Sequence, residues 1–102
     1  MRTYETEFPE YDDEMPFISG FVDDSWHNDV CPSLRYDFND GSYLKLFCDY
    51  KNFGSREVGG EQYALSYHEN EEVSDEVLHL MSTDDINEIK KFVKYFIASN
   101  SL

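Results

Sequence analysis

Basic side chains are scarce in this 102-residue chain: 8 Lys and Arg stand against 22 Asp and Glu, for a net charge of −14. Such a surface repels nucleic acid and anionic lipid and attracts cationic partners, in a salt-dependent way. No apolar run approaches the ~20 residues of a membrane span. The opening MRTYETEFPEYDDE has no basic start followed by an apolar stretch, so no secretory signal is expected. That places the protein in the cytoplasm, where the only two cysteines, Cys31 and Cys48, are expected as free thiols. There is no glycine-rich phosphate loop, no internal repeat and no low-complexity linker.

What the chain does have is packing material. Apolar residues make up 40% of it, with eight Tyr, eight Phe and one Trp. That excludes a disordered acidic tail and leaves one domain, 1–102, with a modest core. The charge is uneven. Residues 1–85 carry 21 acids and 5 bases, whereas 86–102 carry Glu88 against Lys90, Lys91 and Lys94.

Periodicity divides the chain into an acidic N-terminal segment (1–15), a β-rich body (16–82) and a helix (83–98). LRYDF (34–38) and SYLKLFCDY (42–50) flank the turn NDG and read as a hairpin. Leu44, Leu46 and Cys48 take one face of its second strand, and Tyr43, Lys45, Phe47 and Asp49 the other. QYALSYH (62–68) and VLHLMS (77–82) continue the alternation, and PFISGFV (16–22) is a further short strand interrupted by Gly20. From Thr83, the expected N-cap, Asp84 and Asp85 lead into a stripe of Ile86, Ile89, Val93, Phe96 and Ile97 at helical spacing, with Phe92 beside it. The lysines form a solvated flank matched to the helix dipole. The expected fold is α+β: a four-stranded antiparallel meander, five with the N-terminal strand, and a C-terminal helix packed on one face.

SWHNDVCPS (25–33) holds the densest set of reactive groups. A zinc site would need Cys48, His68 or His79 to converge on the local pair His27 and Cys31, because structural sites supply ligands in closely spaced pairs. DFNDG (37–41) lacks the spacing of a calcium loop and reads as the hairpin turn. A Cys31 nucleophile with His27 or His68 as base would sit among Asp23, Asp24 and Asp29 with only Arg35 nearby, a field that disfavours a thiolate. No cofactor, metal or catalytic residue is therefore expected, and the protein is not expected to be an enzyme. Pro32 disfavours helix at Cys31, making the segment an ordered, non-helical acidic turn on which Trp26 is either a lid over the core or an interface anchor.

Three acidic stretches with interleaved aromatics are suited to a basic protein partner: EFPEYDDEM (7–15), DDSWHND (23–29) and ENEEVSDE (69–76). Their candidate contacts are Asp12, Asp13, Glu14, Asp23, Asp24, Trp26, Asp29, Glu69, Glu71, Glu72 and Asp75. Charge would steer the encounter and the aromatics would anchor it.

The segment SWHNDVCPSL, the hairpin ending in FCDYKN, SRE (55–57) and the Tyr-rich strand after it resemble small bacterial immunity proteins of contact-dependent growth inhibition systems. The resemblance covers roughly 25–97. It implies a one-to-one cytoplasmic inhibitor of a basic nuclease toxin, with neither nucleic acid nor membrane bound directly. Two other classes stay open. One is a nucleic-acid mimic of the anti-restriction or anti-CRISPR type, whose carboxylates would stand in for phosphates spaced ~1.7 Å along a duplex axis. The other is a small metal protein or enzyme built on His27 and Cys31.

Overall fold

The computed structural model describes residues 3–57, 60–70, 72 and 76–100, the last without its side chain. Five strands form one antiparallel sheet in chain order: β1 (Val22–Asp23), β2 (Ser33–Asp37), β3 (Tyr43–Cys48), β4 (Tyr63–His68) and β5 (Val77–Thr83). A short helix, α1 (Tyr4–Glu7), precedes them, and α2 (Ile86–Asn100) follows. The expected α+β meander with a C-terminal helix is the architecture found.

Alternation in the central strands decides which face is buried. Leu34, Leu46 and Leu65 align across β2, β3 and β4, and Tyr36, Leu44 and Tyr67 form the next row. Leu44, Leu46, Cys48 and Leu65 are fully buried, together with Ile89 of α2. A completely buried leucine contributes about 1.5–3 kcal/mol by leaving water, so this inner face is the main source of stability. Helix α2 lies against β4 and β5. Phe96 meets Phe38 and Tyr67 at ring separations of 6.2 and 5.9 Å. Tyr11, Met15, Ile18 and Phe21 of the N-terminal segment join the same core, so helix and segment share the cover of one sheet face.

Several local expectations are corrected. Residues 16–21 do not form a strand. Gly20 turns the chain with φ +86°, and a Cβ there would lie 2.8 Å from the Tyr36 ring. The Phe21 N–H donates to the Ile18 carbonyl, so the segment delivers Ile18 and Phe21 to the core through a turn. Helix α1 went unanticipated because its capping box uses Thr6, not Glu or Gln, as the residue that reaches back to Thr3. Thr83 ends β5 and does not cap α2 directly. The Asp85 carboxylate accepts the Asn87 N–H at 2.9 Å, while the Thr83 hydroxyl accepts the Asp85 N–H and donates to Glu88. Asp49, expected on the outer face of β3, lies past the end of that strand and is fully buried.

Leu46→Ala should lower the unfolding free energy by about 3 kcal/mol, because the central sheet cannot collapse into the space left. Leu78→Ala, at a side chain 60% exposed, should change it by less than about 0.5 kcal/mol. Urea denaturation of both variants measures the contrast.

Candidate functional site

The hairpin turn after β2 and the β4–β5 loop lie at one end of the sheet, where the Asn70 amide donates to the Asp40 carbonyl at 2.9 Å. The opposite end is built from α1, the 24–31 turn and the loop after β3. It is here that most of the candidate carboxylates gather. Asp12 accepts the backbone N–H groups of Lys51 (2.7 Å) and Asn52 (2.8 Å). Asp13 accepts the Gln62 side-chain amide at 2.9 Å. Asp23 accepts the N–H groups of Tyr4 (2.8 Å) and Ser25 (3.0 Å). These contacts clip the N-terminal segment to the sheet. Glu14 is exposed beside them.

Asp24 and Asp29 flank Lys45 at 3.7 and 3.6 Å, on the sheet face away from α2. Trp26 is 36% exposed, with its ring 4.3 Å from that of His27. His27 ties this turn to α1, its Nδ1 lying 3.0 Å from a Glu7 carboxylate oxygen. That contact holds the Glu7 carboxyl below its ordinary value. Glu69 and Glu72 stand in the β4–β5 loop at the far end and do not join the group. Glu71 and Asp75 fall outside the described residues.

The loop after β3 completes a feature that the sequence reading missed. Glu10, Asp12 and Glu57 line a cleft of about 430 Å³ together with Tyr50, Asn52 and Ser55. Among the described residues, three acidic side chains line it and no basic one does. Tyr50 forms one wall and packs edge-on to Tyr11, which packs in the same way on Tyr4. Partial burial pushes the Tyr50 hydroxyl up, and the negative charges of Glu10 and Glu57 add to the effect. The only advance signal for the cleft was the aromatic spacing of Tyr4, Tyr11 and Tyr50 among acids.

The buried Asp49 and the partly buried Arg56 shape this loop. Asp49 accepts the N–H groups of Tyr50 (2.8 Å) and Glu57 (3.1 Å). The Arg56 guanidinium donates to the carbonyls of Tyr50 (2.8 Å), Gly60 (2.7 Å) and Lys51 (3.2 Å), and to Asp84 at 2.9 Å.

The reactive groups of SWHNDVCPS do not form a catalytic set. Cys31 is fully buried, and burial together with Asp49 and Asp29 pushes its thiol up to about 12. Cys48 is likewise buried, with its thiol raised well above the ordinary value. His27 faces Glu7, and its side chain is 57% exposed. His68 and His79 lie on the outer sheet face, each against a serine, Ser66 (2.9 Å) and Ser82 (3.0 Å). Among the described residues, no group of three or more His, Cys, Asp or Glu is placed to hold a metal ion. In the same residues, no helix is long and apolar enough to cross a membrane. Compared with known protein families, characterised proteins and solved structures, the chain matches none.

Two outcomes follow. Both thiols should resist iodoacetamide at mildly alkaline pH in the native protein and react fully in denaturant, as mass spectrometry of the alkylated chain would show. Burial of Asp12 opposes its charge, but the N–H groups of Asn52 and Lys51 outweigh it and hold its carboxyl below the ordinary 3.8. A carboxyl depressed in the folded state stabilises the fold above its unfolded value, and that stability is lost as pH falls through the folded value. Asp12→Ala should therefore cost about 1 kcal/mol at neutral pH, and the urea midpoints of variant and wild type should converge as the pH falls below about 4.

Proposed function

We propose that this protein is a binding protein for a cationic protein, and more specifically a cytoplasmic immunity protein that neutralises a basic nuclease toxin one-to-one. The observation that carries the reading is the cleft at the α1 end, lined among the described residues by three acidic side chains and a tyrosine and by no basic residue. Like charges around a low-dielectric concavity focus the field and raise the local concentration of a cation. A lysine or arginine of the partner would there meet Glu10, Asp12 and Glu57, with the Tyr50 ring available for a cation–π contact. Trp26, on the turn tied to the same end, supplies an exposed aromatic of the kind that anchors interfaces.

Three cations are paired internally: Arg35 is held by Asp37, Lys45 by Asp24 and Asp29, and Arg56 by Asp84, which leaves the exposed Lys51 as the cation beside the cleft. The alternative of a nucleic-acid mimic calls for carboxylates in two phosphate-like rows. The acids described here collect instead at opposite ends of the sheet, which favours docking on a protein. An enzyme or metal protein built on His27 and Cys31 has less support, since the first is turned to Glu7 and the second is buried.

Co-expression with the product of the adjacent gene tests the proposal, a basic toxin being the partner expected. A stable complex and protection from the toxin are expected. Glu10→Lys with Glu57→Lys should weaken the complex at least about tenfold, roughly the loss of one desolvated charge contact. Raising NaCl from about 0.05 to 0.5 M should slow its formation. Absence of both complex and protection would sink the idea.

A further inference from the structure

A second concavity lies on a different face, between the N-terminal segment and α2. Its volume is about 480 Å³. Ile18, Val93 and Ile97 form its apolar floor, and Phe17 stands at its edge, 82% exposed. Lys90 and Lys94 line the other side, and neither forms an ion pair among the described residues. An exposed phenylalanine beside an apolar hollow is a knob next to a hole. Such a patch is self-complementary, which is what a two-fold contact between identical chains requires.

We propose that this groove is the face through which two copies of the chain associate, each inserting Phe17 into the groove of the other. Charge selects the same face. Two bodies of −14 repel each other wherever they approach by their acidic ends. The C-terminal stretch 86–102, with three lysines against one acid, is where that repulsion is least. The patch is small, so the dimer is a weak one that forms at high concentration. It leaves the acidic cleft open, and it stands or falls independently of the partner proposed for that cleft.

Salt separates the two interactions, because screening weakens attraction to a cationic partner but relieves repulsion between like chains. Sedimentation equilibrium of the full chain, up to about 1 mM protein and at about 0.05 and 0.5 M NaCl, tests the proposal. A monomer–dimer equilibrium that tightens with salt is expected. Phe17→Ser should weaken it roughly tenfold or more without shifting the thermal midpoint, since the side chain is exposed in the monomer. Lys94→Glu should weaken it mainly at low salt. A monomer throughout at both salt concentrations, or a dimer indifferent to Phe17→Ser, would overturn it.

Discussion

The guanidinium of Arg56 is the contact on which the acidic end depends. Its side chain is 9% exposed, and its donors close the loop after β3 onto the carbonyls of Tyr50, Lys51 and Gly60 and onto Asp84 beside the start of α2. The same Asp84 oxygen takes the Gln62 N–H at 2.7 Å, and the Gln62 amide reaches Asp13. One cation thus couples the loop, the start of β4, the head of the helix and the N-terminal segment. A lysine could not replace it, because a single ammonium lacks the planar fork that reaches several acceptors at fixed angles. Burying that charge is costly, and three carbonyls and a carboxylate offset the cost. The cleft residues Tyr50, Asn52, Ser55 and Glu57 all belong to the loop it holds.

The use of charge follows from this. Arg35, Lys45 and Arg56 are held by internal carboxylates, while Lys51 stands exposed in the loop after β3; Asp12 and Asp23 accept backbone N–H groups, and Asp13 accepts the Gln62 side-chain amide. Asp12 is thereby fixed by the fold, while Glu10 and Glu57 add exposed carboxylates at the same end. A scaffold of this kind carries self-repulsion as a permanent cost, which is reasonable where the surface has a cationic target. The far end, with Glu69 and Glu72, adds negative charge without sharing the cleft.

Much of this architecture was legible in the sequence because it is local. Leu44, Leu46 and Cys48 alternate in β3, and Ile89, Val93 and Phe96 recur at helical spacing in α2, so both elements follow from period and burial. What escaped notice rests on pairings distant along the chain. Asp12 meets Lys51 and Asn52 some 40 residues away, and Asp13 meets Gln62 at a separation of 49, distances at which composition carries no signal. Asp12, Asp13 and Asp23 were legible as acidic, but not as structural clips. Glu10 and Glu57 were overlooked because only the folded loop brings them to one cleft. Trp26 fell where the turn formers around it indicated, exposed on a non-helical segment.

The central claim is that the α1 end is the contact surface. Amide hydrogen exchange of the protein, alone and saturated with a cationic partner obtained by co-expression, tests this most directly. Slowed exchange concentrated in residues 8–13 and 49–57 is the predicted result. Protection confined to the β4–β5 loop or to the outer faces of β2 to β5, with the cleft segments unchanged, would contradict it.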